Sequence, residues 1–116
     1  MSDRYARYTR LKFDRPHPRV LRVTMNSPLK LGAMDERMHY EVSKIWEEAD
    51  ADESVSAIIV TGTGKSFSAG GDVNYDVKMR VDPNIYMPMM RDAHNMVYGM
   101  MNCSKPIVSG VRGWAV

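Results

Sequence analysis

The chain has 116 residues, 44% of them apolar and 26% charged, with a formal net charge of +2. That size suits one small domain burying roughly two-thirds of its unfolded surface. The weak charge gives no ground for a nucleic-acid partner, no stretch approaches the ~20 apolar residues of a membrane span, and a single cysteine excludes an intrachain disulfide.

Tyr8 to Phe13 (YTRLKF) and Val20 to Met25 (VLRVTM) alternate as strands, with a turn expected at Arg15-Pro16-His17-Pro18, where each proline biases its predecessor away from the helix. The basic residues Arg4, Arg7, Arg10, Lys12, Arg15, Arg19 and Arg22 are interrupted by Asp3 and Asp14, and are read as a solvated strand face. Asp35 caps a helix with Met38, Val42, Ile45, Trp46 and Ala49 at helical spacing, and with Glu36, Arg37, Glu41, Lys44, Glu47 and Glu48 on its wet side. Ala57 to Thr61 is a compact apolar run suited to a buried parallel strand. Asp82-Pro83 opens a second helix striped by Ile85, Met89, Ala93, Met96, Val97 and Met100, with Pro88 in its early turns. Lys105-Pro106 leads into a last strand, IVSGV. Hairpin, helix, strand, helix, strand is an α/β order.

The segment TGTGKSFSAGGD, Thr61 to Asp72, follows the buried strand. A phosphate-binding loop G-x-x-x-x-G-K-[ST] needs a glycine five positions before Gly64, where Ile59 stands. A dinucleotide fingerprint needs glycine at 67, which is Phe67. There remains Ser68-Ala69-Gly70-Gly71-Asp72, whose glycines allow close backbone approach and whose aspartate can cap a short following helix. Such a loop suits an oxyanion held by backbone N–H groups, or else is a plain strand-to-helix turn.

In context the run AIIVTGTGKSFSAGGDV resembles the T-G-x-G-x-x-F-[SC]-A-G-x-D loop of the enoyl-CoA hydratase/isomerase (crotonase) superfamily. Two further stretches agree in order. Asn26-Ser27-Pro28-Leu29-Lys30-Leu31-Gly32-Ala33 is similar to the family's N-R-P-x-x-x-N-A turn, with Ser27 in place of arginine and Gly32 in place of asparagine. Lys105 to Ala115 is similar to its K-P-x-[IV]-x-x-[VI]-x-G-x-A strand. The resemblance implies a crotonase-like (ClpP/crotonase) ββα superhelix. It also implies an enzyme on acyl-CoA thioesters that stabilises an enolate, with hydration, isomerisation or thioester hydrolysis as its chemistry and hydratase the first choice.

Carried over by position, the resemblance makes the Gly71 amide a catalytic oxyanion donor. Ala69 and Asp72 shape its turn, Ser68 and Val73 border the CoA thiol arm, Gly70 is counted with them in the thioester-binding set, and Leu29, Lys30, Leu31 and Ala33 approach the nucleotide end. The second donor and the catalytic glutamates are expected after Val116, so residues 1–116 are read as the N-terminal part of one domain, interrupted before the second oxyanion-hole glycine. Coenzyme A enters as part of the substrate, with no separate cofactor. A homotrimer or hexamer is expected of the complete protein, in the cytoplasm.

His17, His39 and His94 form no recognisable triad, Cys103 reads as a core thiol, and no metal-ligand cluster is visible. The competing reading is a short non-catalytic module that keeps a CoA-binding turn or a subunit-contact surface. The failed phosphate-loop spacing is directly testable: titration calorimetry with ATP should show no binding heat, and saturable binding would reinstate the GKS tripeptide as a nucleotide site.

Overall fold

The computed structural model describes residues 3–116, with only the backbone described for Asp3 and Lys30. Its elements are β1 (Leu11–His17), β2 (Val20–Met25), α1 (Glu36–Ala51), β3 (Ala57–Gly62), α2 (Val73–Val81), α3 (Pro83–Asn102) and β4 (Ile107–Gly110). The strands form one sheet in the order β1-β2-β3-β4. The first pair is antiparallel, and the β2–β3 and β3–β4 pairs are parallel, joined by helical crossovers. The expected α/β class holds.

The hairpin differs from expectation. Arg15, Pro16 and His17 belong to β1, and the turn shrinks to Pro18-Arg19. Because β1 is the edge strand, proline's missing N–H takes no ladder bond away, and the register shifts between Asp14 and His17 to accommodate it. Tyr8 lies outside the strand and folds into the core, edge-on to Phe13 with ring centroids 5.4 Å apart.

One sheet face is apolar. Leu21 and Val23 of β2 stand opposite Ile58 and Val60 of β3 and are buried with them. Helix α1 packs here through Met38, Val42, Ile45, Trp46 and Ala49, the stripe expected from the sequence. Its first turn is fixed by Asp35, whose carboxylate accepts from Met38 N–H at 2.8 Å. Its last turn is held by Lys105, whose ammonium donates to the carbonyls of Ala49, at 2.9 Å, and Asp52. A cation at this end also opposes the negative pole of the helix.

Glu41 departs from the solvent-facing role its helical position suggests, for it is fully buried. The segment before β1 folds over α1 and supplies the donors: Thr9 N–H at 2.9 Å, Arg10 N–H at 2.8 Å and Arg37 Nε at 2.6 Å. Burial pushes the Glu41 carboxyl up, but these donors outweigh it and hold it below its ordinary range. The early arginines are likewise occupied, Arg7 with Glu48, Arg10 with Asp35, Arg15 with Asp52 and Arg22 with Asp14.

Helix α3 runs through Pro88 and covers α1, yet none of its residues is fully buried. Ile85, Met89, Ala93 and Met96 are half-buried, whereas Val97 and Met100, expected in the stripe, are exposed because only one side of the helix meets α1. Cys103 ends the helix half-buried against the core, where burial pushes its thiol up, in keeping with an unreactive side chain.

Asp52, just after α1, accepts from Tyr5 Oη at 2.6 Å and Ser54 Oγ at 2.7 Å. Burial alone would raise its carboxyl, but the Tyr5 and Ser54 hydrogen bonds and the Arg4 charge bring it down to about 2. A depressed folded value contributes stability above the unfolded pKa that is lost as pH falls through the folded one. Asp52→Asn should therefore cost about 2 kcal/mol at pH 7. Urea unfolding of variant and parent should converge as the pH falls from about 4 towards 2.

Candidate active site

After β3 the chain turns at Thr63-Gly64-Lys65, all exposed. From Phe67 it runs extended between two neighbours. On one side Phe67 N–H donates to Arg112 O at 2.7 Å, Ser68 N–H to Trp114 O at 2.9 Å, and Val116 N–H to Ser68 O at 3.0 Å. On the other, Met34 N–H donates to Gly70 O at 2.7 Å and Asp72 N–H to Met34 O at 2.9 Å. These bonds make parallel bridges, Ser68 with Ala115 and Met34 with Gly71.

The second bridge decides where one amide points. It uses the carbonyl of Gly70 and the N–H of Asp72, so the N–H of Gly71, between them, faces away from Met34. Among the described residues nothing accepts from it, and Gly71 is exposed. Gly70 makes the preceding bend at φ 103, a conformation side chains with a Cβ rarely adopt. Asp72 caps α2, its carboxylate accepting from Asn74 N–H at 3.3 Å, so the free amide sits beside the positive end of that helix.

The turn before α1 lies against this loop. Ser68 Oγ donates to Gly32 O at 2.9 Å and accepts weakly from Gly70 N–H at 3.3 Å. Ser27 Oγ accepts from Leu29 N–H at 3.0 Å and donates to Ala33 O. Leu31 and Gly32 are left-handed, at φ 57 and 70. Asparagine and glycine are the residues that visit this region most readily, which accounts for Gly32 at a position where the motif carries asparagine. Leu31 is left 54% exposed, an apolar side chain held outward by a backbone that leucine seldom takes. The Lys30 side chain lies outside the described residues.

Helix α2 turns different residues to its two sides. Tyr75 is buried on the side of α1 and α3, lining a cleft of about 620 Å³ with Arg37, Lys78 and Asp92. Burial, with Glu36, Asp92 and Asp76 adding to it, pushes the Tyr75 hydroxyl up to about 12. His39 meets Tyr75 edge-on at 6.1 Å, and burial lowers its pKa. On the other side, the Asp76 carboxylate lies against Gly71: a Cβ placed on that glycine would be 3.1 Å from Oδ1 and 3.4 Å from Oδ2. Val73, at the head of α2, is 73% exposed. No group of histidines, cysteines and carboxylates among the described residues could hold a metal ion.

Residues 20–116 match the family model described as enoyl-CoA hydratase/isomerase. The chain belongs to the enoyl-CoA hydratase/isomerase family. It is 27% identical over 101 residues to a 1,2-epoxyphenylacetyl-CoA isomerase of Escherichia coli, covering 83% of this chain and 37% of that protein. It is 31% identical over 104 residues to a mevalonyl-coenzyme A hydratase of Beauveria bassiana, covering 84% of this chain and 37% of that one. A solved enoyl-CoA hydratase/isomerase from Mycobacterium paratuberculosis superposes with a TM-score of 0.85 at 28% identity, over 90% of this chain and 42% of that structure. The chain thus spans about two-fifths of the length of these relatives, and the crotonase-like fold expected from the sequence holds over the part present.

Within this enoyl-CoA hydratase/isomerase frame, the bridges at Met34 and Ser68 bring Ala33 and Ser68 to Asp72 into one neighbourhood, with Leu31 and Val73 exposed next to it in sequence and Leu29 tied through its N–H to Ser27. Two neighbours were not singled out from sequence: Asp76, and Val116, whose Cγ1 lies 3.5 Å from where a Gly70 Cβ would be. Asp76 carries one legible signal, a spacing of four from the cap Asp72 that places both on one helix face. Val116 carries none. Ser68→Ala should leave the Gly32 carbonyl without its donor and cost about 1 kcal/mol in urea unfolding. If the hydroxyl is instead idle, the variant will match its parent.

Proposed function

We propose that the complete protein is an acyl-CoA enzyme that stabilises a thioester enolate, with hydration of an enoyl-CoA as the first reaction to test. The observation that carries this reading is the Gly71 N–H, solvent-facing and unclaimed in a loop pinned on both sides. A thioester α-proton is a weak acid until charge on the carbonyl oxygen is stabilised, so a fixed amide dipole aimed at that oxygen lowers the barrier with little reorganisation. The positive end of α2 adds to the field in the same place.

On this reading the thiol arm of coenzyme A passes Ser68, Ala69, Gly70, Gly71 and Asp72, with Val73 along its apolar side. Leu29, Lys30, Leu31 and Ala33 meet the nucleotide end, where the outward Leu31 offers an apolar face to a planar base. Coenzyme A arrives with the substrate and no other cofactor is required. A homotrimer or hexamer in the cytoplasm is proposed for the complete protein; light scattering and fractionation test these, and relatives named peroxisomal and mitochondrial supply the competing addresses. No helix among the described residues is long and apolar enough to cross a membrane.

The test is a panel of enoyl-, 3-hydroxyacyl- and saturated acyl-CoA thioesters with the full-length protein. Gly71→Pro, which deletes the N–H, should lower kcat roughly 10²–10³-fold while circular dichroism shows the fold retained. Isomerisation or hydrolysis in place of hydration would move the protein within the family's chemistry. Inactivity on every thioester would refute the enzyme reading.

A further inference from the structure

Asp76 is chemically out of place beside an apolar rim. It is half-buried on α2, between Val73 and Val77, which are 73% and 54% exposed. Among the described residues its carboxylate has neither an ion-pair nor a hydrogen-bond partner. The other carboxylates at the loop are engaged: Asp72 caps α2, and Asp35 accepts from Met38 N–H at 2.8 Å and Arg10 Nε at 3.0 Å. A part-buried polar group left without a partner marks a place that a ligand can complete. A Cβ built on Gly71 would stand 3.1 Å from Asp76 Oδ1 and 3.4 Å from Oδ2, so the carboxylate lies beside a residue whose N–H no described residue accepts.

We propose that Asp76 is a proton-transfer residue of this site, taking and returning the proton on the carbon next to the thioester. The inference rests on Gly71 as the donor to the thioester oxygen. The Asp76 carboxylate removes the α-proton and becomes a carboxylic acid. The C–H electron pair becomes the enolate double bond, and the carbonyl pair moves onto the oxygen held by Gly71 N–H. Return of the proton to the same carbon, or to the conjugated one, restores the carboxylate, with no oxidant or reductant needed. Charge bookkeeping favours transfer over a bystander role. A carboxylate that stayed ionised would repel the growing oxyanion, whereas one that accepts the proton gives up its charge as the oxygen acquires it.

The experiment uses the full-length protein with butyryl-CoA in D₂O, following α-deuterium incorporation by mass spectrometry and thioester affinity by calorimetry. Asp76→Asn should lose roughly 100-fold or more in exchange with its dissociation constant held within about threefold, and Asp76→Glu should recover part of the loss. Gly71→Ala keeps the amide but places a methyl 3.1 Å from Asp76 Oδ1, so it should displace the carboxylate and slow exchange. That slowing should be about tenfold in the parent and absent in the Asp76→Asn background, by the non-additivity of residues that act as a unit. If Asp76→Asn does not fold, Asp76→Ser takes its place in the same pair of comparisons. Exchange within about threefold of the parent in whichever variant folds, or a matching loss of thioester affinity, overturns the role of Asp76. A parent that binds no thioester, or binds it without exchange, overturns the Gly71 reading and this inference with it.

Discussion

A backbone amide can serve a ligand only if the protein leaves it unclaimed, yet the loop that carries it must be fixed to better than an ångström. Inside a continuous sheet the second demand is met by violating the first, because successive N–H groups are taken by one neighbour or the other. The glycine loop avoids this conflict by bridging rather than pairing. Ser68 is held from one side by the segment around Ala115, and Gly71 from the other by Met34. In a parallel bridge one partner contributes both of its own groups and the other neither; Met34 is the first kind and Gly71 the second, so the bonds that immobilise Gly71 are made by Gly70 and Asp72. Rigidity and availability therefore come from the same pair of bonds.

The rest of the fold explains why both anchors stand where they do. Met34 lies one residue before the Asp35 cap, so its position follows from where α1 begins, and α1 is seated by its buried stripe on the sheet. The segment 112–116 follows β4, which is placed by its pairing with β3. Lys105 ties the start of that strand to the last carbonyls of α1. The lysine of the K-P motif thus works at a distance from the loop. It fixes the angle between a helix and a strand that each deliver one anchor.

Charge is handled in two ways. The early arginines and Glu41, Glu48 and Asp52 form a mesh that fastens the N-terminal segment to α1, with each buried carboxylate supplied by several donors. Around the glycine loop the supply is incomplete: among the described residues the Asp76 carboxylate has no donor. In the mesh, donors outweigh burial, as the lowered Asp52 and Glu41 carboxyls record.

Much was legible in the sequence, because strand alternation, helical spacing and capping are local and each leaves a mark within a few residues. The α/β order, the Asp35 and Asp72 caps, the core stripe of α1 and the glycine loop are all of this kind. Where local reading failed, a distant segment intervened. Pro16 was tolerated in β1 because that strand is an edge, Glu41 was buried because Thr9 and Arg10 fold over it, and Val97 and Met100 stayed exposed because α3 meets a neighbour on one side only. The sequence by itself determined which loop is special, through the glycines and the cap that only certain backbone conformations require. Tertiary structure alone decided that the Gly71 amide of that loop is left free and that a carboxylate stands beside it. Both depend on hydrogen bonds to residues more than thirty positions away, at Met34 and Trp114, and on the turn of a helix that no local pattern encodes.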